Sequence, residues 1–417
     1  MTIPRVLFGG LILLAIASGC GAVEVTATEA QIAAMRQRVA ALGQLTAAPA
    51  VYPVDSANVS PRRLYFAALP YRGKPTRCFA WMGLPETRGT KVPGVVLVHG
   101  GGGTAFREWV ERWNEHGFAA ISIAVEGQTD ERSADGKWWQ QHEWAGPKRA
   151  GIYDDAAEPI EDQWMYHAVA DVALANSLLR SLREVDAEQV GLSGISWGGI
   201  ITSTAMGIDT RFAFAVPIYG CGQLPIAAEH YVRALEHNQV YREVWEPTTW
   251  LPRARMPALW LTWLRDTHFP LDAQQATYRA ALGPRMVAVL PDMRHGHTVG
   301  WRPEDSYAFA ESVVATGKPW LKQLHQERDG DRASVEFESA KPIDRAVLLS
   351  TIDTGYTGSR QWTESAAELK LNGAKVDITA PLPAGTTAYF FNVLSGPLTA
   401  SSEYVDMVKP EDHESTK

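Results

Sequence analysis

Positive charge is scarce in this 417-residue sequence: 39 lysines and arginines face 47 aspartates and glutamates, giving a formal net charge of -8. A nucleic-acid binder needs a basic face to neutralise phosphates, so that class is set aside. Cysteine is rarer still, with 3 in the chain. Cys20 falls at the end of an apolar leader, which leaves Cys78 and Cys221, able to pair only if the fold makes them neighbours. His295 and His297 have a spacing seen in zinc sites, but no third ligand cluster accompanies them, so neither metal nor cofactor is expected. The glycine run Gly100–Gly103 is not followed by Lys-Ser/Thr, nor by a second Gly-x-x-Gly entering a helix, which argues against a phosphate loop. A hydrophobic content of 46% excludes a disordered chain and allows a sizeable core.

The apolar leader has Arg5 as its charged end and Leu7–Ala17 as its core, too short to stay as a membrane span, so residues 1–20 read as an export signal. The stretch Ala17-Ser18-Gly19-Cys20 is similar to a bacterial lipobox, with alanine in place of the usual leucine. Two outcomes follow: lipid attachment at Cys20, or simple cleavage nearby and release. The expected location is therefore periplasmic, outer-membrane-attached or secreted.

The most informative stretch is Gly191-Leu192-Ser193-Gly194-Ile195-Ser196-Trp197-Gly198-Gly199. Its pattern is Gly-x-Ser-x-Gly between a buried strand ending near Leu192 and a helix beginning near Ile200, a sharp turn that would lift the Ser196 hydroxyl clear of the backbone. Upstream, the apolar run ending at Val98 leads into His99-Gly100-Gly101-Gly102-Gly103. In acyl transfer a carbonyl oxygen becomes negative, and two backbone donors can stabilise it by roughly 3 kcal/mol apiece; Trp197 would supply one, and Gly101 or Gly102 the other. Downstream, the strand 256–263 precedes Asp266, and the strand 285–290 precedes His295 and His297. Ser196 as nucleophile, His295 as base and Asp266 as its orienter form the expected set, with His297 as the alternative base and Asp272 and Asp292 as lesser rivals to Asp266.

Along the chain, residues 21–62 carry a helix with Ile32, Met35, Val39 and Leu42 on one stripe, then an extended linker. Residues 63–325 alternate strand and helix, which implies a largely parallel sheet. Between Glu126 and Glu161 this alternation stops in a long polar loop bearing Trp138, Trp139, His142 and Trp144. A second excursion, from Gly220 to the strand carrying Trp260, contains Trp245 and Trp250. Trp138, Trp139, Trp144 and Trp245 are candidate substrate contacts, because indole faces suit sugar rings and apolar acyl groups. Residues 326–408 turn into short alternating strands with Gly, Pro and Asn turns, read as a small all-β sandwich with a stabilising role, and 409–417 form a tail.

With these motifs in place, the sequence resembles serine esterases of the α/β-hydrolase superfamily, and within it acetyl xylan esterases and dienelactone-hydrolase-like proteins. The resemblance spans roughly Arg63–Trp320 and resides in His99–Gly103, Gly194–Gly199, Asp266 with Phe269-Pro270-Leu271-Asp272, and Met293–Trp301. Dienelactone hydrolases use a cysteine nucleophile, whereas this chain has Ser196. The resemblance implies an α/β fold, a mostly parallel sheet with helices on both faces, and a carboxylic ester hydrolase acting on a small-molecule or polysaccharide ester, most simply by removing acetyl groups from carbohydrate. A prolyl-oligopeptidase-type serine peptidase and a non-catalytic glycan-binding surface protein remain the alternatives.

Overall fold

Val95–Val98 and the whole of Ala119–Ala124 are buried. Strands covered on both faces must be apolar on both faces, and these two runs form the middle of the central sheet. The computed structural model describes residues 24–408 apart from 57, 87 and 88. The expected leader, Cys20 and the tail 409–417 lie outside the described residues.

Across the hydrolase part of the sheet the strands run 51–53, 62–71, 74–83, 119–124, 92–98, 185–195, 215–218, 258–263 and 285–290. The first four pair antiparallel, and every pair from 119–124 to 285–290 is parallel. The chain leaves strand 92–98 toward one side of the sheet and returns to its other side at 185–195. At such a reversal a crevice opens beyond the carboxyl ends of the strands. Register then sets the neighbours: Val98 sits opposite Gly194, so the His99–Gly103 loop and the Ser196 turn emerge side by side.

The predicted N-terminal helix is Glu29–Ala41, started by a capping box between Thr28 and Gln31 and burying Ile32 and Val39. The helix Trp164–Arg180 crosses the sheet with nearly every residue buried, among them Asp171. One Asp171 oxygen has no hydrogen-bond partner, and burial raises the carboxyl's pKa to about 8. An acid whose pKa is higher in the folded state than in the unfolded state holds its proton better when folded, so its contribution to stability falls as pH climbs from about 4 through about 8. Asp171→Asn is expected to flatten that decline, measured as the dependence of Tm on pH from 5 to 9.

Cys78 and Cys221 do not pair; both are buried free thiols. Cys78 lies in strand 74–83, and Cys221 follows strand 215–218, four positions away across the sheet. At about 4.8 Å per strand, that separation exceeds any disulfide.

The C-terminal residues form the expected antiparallel strands. One set makes a four-stranded sheet from 321–329, 332–339, 375–381 and 368–372. The other set does not stand apart: strands 398–401, 388–395, 345–351 and 363–366 continue the catalytic sheet through Val287 opposite Ser401 and, with 405–406 paired to 388–395, make one sheet of 14 strands among the described residues. Asn392 Nδ2 donates to the Val289 carbonyl at 3.0 Å and Val289 N–H donates to Ser401 Oγ at 2.8 Å, sealing the join. Alternating hydrophobicity predicts that a strand exists but says nothing of which edge it pairs with, so this continuity was not readable from the sequence.

Candidate active site

Ser196 is held at φ 58° and ψ -117° between strand 185–195 and helix Trp197–Ile208. That is a conformation an L-residue adopts at a cost of roughly 1–3 kcal/mol, and it persists only where the surroundings dictate it. They do so through close approach: a Cβ on Gly194 would run into the Gly198 carbonyl oxygen, and one on Gly198 into that of Val98. The glycine pattern in the sequence is the imprint of those contacts.

Three side chains from three loops meet at this turn. His295 Nε2 lies 2.9 Å from Ser196 Oγ, and His295 Nδ1 lies 2.7 Å from Asp266 Oδ2. Asp266 is buried, and its other oxygen accepts from the backbone N–H groups of His268 at 2.8 Å and Phe269 at 3.1 Å. With three hydrogen bonds converging on its two oxygens, the carboxylate is fixed in place. Tyr219 stacks on the His295 ring with centroids 4.6 Å apart and donates its hydroxyl to the Arg294 carbonyl at 2.7 Å. The imidazole is thereby confined to one plane.

The structure brings His295 rather than His297 to hydrogen-bond distance of Ser196. The Nε2 of His297 accepts from the Gly100 N–H at 3.0 Å, and burial lowers its pKa to about 4. His99 is similarly neutral, lowered to about 4 by burial; it donates from Nδ1 to the Gly100 carbonyl at 2.7 Å and accepts at Nε2 from the Val125 N–H at 3.0 Å. Two uncharged imidazoles thus brace the glycine loop, one from each side. The His295 ring points to the serine and the His297 ring to the glycine loop, so the two rings do not converge as metal ligands would.

The cavity over Ser196 measures about 330 Å³ and includes Gly101 and Trp197. Its remaining walls come from both excursions: Arg149 and Ile152 from the first, His230 and Tyr231 from the second, with His268 from the acid loop. None of these five was picked out from the sequence. His268, two residues beyond Asp266, carried a positional signal; the others sit in irregular stretches whose approach to Ser196 depends on how the loops fold back.

The four candidate tryptophans are elsewhere. Trp245 is fully buried and donates Nε1 to Gln163 Oε1 at 2.6 Å, a core residue. Trp144 packs edge-on against Tyr65 and lies under the Arg77 guanidinium at 4.0 Å, pinning the long loop to the antiparallel strands. Trp138 is 70% exposed at the turn of the ribbon formed by 128–132 and 139–141 and does not line the cavity. Trp139 comes nearer: its Nε1 donates to the Gly102 carbonyl at 2.9 Å, and Arg132 covers its ring at 3.6 Å. It supports the glycine loop from outside rather than meeting a ligand in the cavity.

The C-terminal strands also reach this region. Tyr356 donates its hydroxyl to the Thr267 carbonyl at 2.7 Å, and the turn Thr357–Ser359 packs so closely that a Cβ on Gly358 would lie 2.8 Å from the Asp266 carbonyl oxygen.

A reversed crossover in a mostly parallel sheet, with a serine elbow at the reversal and an acid and a histidine on later loops, is the architecture of the α/β-hydrolases, and this chain is a carboxylic ester hydrolase of that fold. Residues 37–246, just over half of the 417, match the acetyl xylan esterase (AXE1) family model. The chain belongs to the acetyl xylan esterase family. That match contains Ser196 and the glycine loop and ends before Asp266 and His295, whose partnership rests on the geometry above. No curated protein matches the sequence. Among solved structures, the fold is similar to an acetyl xylan esterase from Paenibacillus sp. R4, at 20% identity and a TM-score of 0.53, with 70% of this chain and 96% of that one covered. It is also similar to acetyl xylan esterase 1 from a Thermoanaerobacterium species, at 19% identity and a TM-score of 0.51, with 66% and 91% covered.

Proposed function

We propose that the protein is an exported serine esterase that removes acetyl or other small acyl groups from carbohydrate through an acyl-enzyme on Ser196. The observation carrying this reading is the unbroken line from Ser196 Oγ through His295 to Asp266, at 2.9 and 2.7 Å. His295 takes the serine proton as Oγ attacks the ester carbonyl, and Asp266 stabilises the imidazolium that forms. The oxyanion then faces the N–H of Trp197, which at the first position of its helix has no intrahelical acceptor. Gly101 is the better second donor: it borders the cavity with Ser196, whereas Gly102 does not and is tied outward to Trp139. Imidazolium returns its proton to the leaving alcohol, and a water deprotonated by His295 releases the acid. Export and attachment through Cys20 rest on the leader sequence alone.

The family's name and the small cavity favour an acetylated sugar as substrate. Acetate release from acetylated xylan oligosaccharides, together with a burst of nitrophenol from nitrophenyl acetate, tests the reading; amide hydrolysis faster than either would refute it. The contact between the C-terminal turn and the acid loop yields a further expectation. Gly358→Ala should displace the Asp266 backbone and lower kcat by about tenfold with KM little changed, since small misplacements of a catalytic group are costly. Equal kcat in steady-state assays would show that the turn leaves the acid undisturbed.

A further inference from the structure

The wall of the cavity has an unusual charge balance. Arg149, His230, His268 and His295 all border it, and among the described residues that line it there is no carboxylate. Arg149 is also held more firmly than an exposed arginine would be. Its guanidinium lies 4.7 Å over the Trp197 ring, Nε donates to Glu126 Oε1 at 3.1 Å, and Nη1 donates to the Gly151 carbonyl at 2.7 Å. Those contacts leave the Nη2 edge facing Gly101, where it would be 3.2 Å from a Cβ built on that residue. The side chain is 22% exposed and lines the cavity. A planar fork fixed on two of its nitrogens, with the third turned toward Gly101 in the wall of the cavity that Ser196 also lines, is pre-organised for an oxygen anion in a way that a flexible lysine is not.

We propose that Arg149 makes this cavity a receptor for an anionic group, so that the preferred substrate is an acyl ester on a sugar bearing a carboxylate, a uronic acid. The assignment deepens the ester-hydrolase reading of the same site and rests on it. The carboxylate of the sugar meets Arg149 Nη2, with His230 and His268 lining the same cavity, while the acyl carbonyl lies over Ser196. Glu126 sits behind the guanidinium, on Nε, and orients it without entering the cavity. An acidic sugar therefore meets no opposing carboxylate at the wall, whereas a neutral sugar leaves the Nη2 edge unused.

The experiment compares the full-length enzyme on two monoacetylated methyl glycosides that differ only in the carboxylate, a glucuronide and a glucoside. Wild type is expected to favour the glucuronide by about tenfold in kcat/KM, mostly through KM, and this preference should shrink as salt is added. Arg149→Gln should bring the ratio close to one, and Arg149→Lys, which keeps the charge and loses the fork, should restore part of it. Should the variants fold poorly, wild type alone decides: free glucuronate should inhibit nitrophenyl acetate hydrolysis at concentrations about tenfold lower than free glucose does. Equal turnover of the two glycosides, or equal inhibition by the two sugars, overturns the anion assignment while leaving the esterase reading intact. Turnover that persists in Ser196→Ala overturns both.

Discussion

Ser196→Ala is expected to lower kcat on nitrophenyl acetate by roughly 10⁵-fold or more and to abolish the burst, while the fold survives. The hydroxyl is the only atom removed, and the positions of His295 and Asp266 are fixed by other partners: Tyr219 stacked on the ring and two backbone N–H groups on the carboxylate. Steady-state and pre-steady-state kinetics check this, and residual activity above about one part in a thousand would point to a different nucleophile. The backbone gives a second readout. Because φ at position 196 is 58°, Ser196→Gly should be about 1 kcal/mol more stable than Ser196→Ala, since glycine bears no Cβ strain there. Urea denaturation of the two variants measures the difference.

Asp266→Asn should cost about 10⁴-fold in kcat. An amide at this position keeps the volume and can still accept from His268 and Phe269. If its NH₂ group faces His295, however, Nδ1 becomes an acceptor and Nε2 carries the proton, so the imidazole is in the wrong tautomer to receive one from Ser196. The side chain is buried, and water has little room to compensate. Placed on top of Ser196→Ala, the substitution should cost almost nothing more, because the three residues act as one unit. An additive loss in the double variant would mean that Asp266 supports the fold or substrate binding rather than the base. The same loss should not appear in His297→Gln, whose side chain can still accept from Gly100; a comparable collapse there would mean that bracing the glycine loop matters as much as proton transfer.

The elbow was legible because backbone crowding demands glycine at fixed offsets, so Gly194 and Gly198 announce the turn whatever surrounds it. The acid and histidine were legible by their order and by the strands that precede them. Strand-end counting favoured His295 over His297, and the structure places the former 2.9 Å from Ser196 and the latter on Gly100. The tryptophans misled, because an indole in an irregular stretch has no periodicity to reveal which way it faces. Trp245 went into the core, Trp144 onto the strand edge, and the cavity wall was instead built by Arg149, His230 and Tyr231.

By itself the sequence determined the strand–helix alternation, the serine turn and the kind of chemistry those residues support, because each depends on local sterics or on spacing within a short segment. Tertiary structure alone decided that Cys78 and Cys221 stay apart, that the C-terminal strands extend the catalytic sheet and touch the acid loop, and that an arginine lines the cavity over the nucleophile. All three depend on which distant edges and loops pack together. Such pairings are chosen by the summed burial and hydrogen bonding of the whole chain, and no single stretch records them.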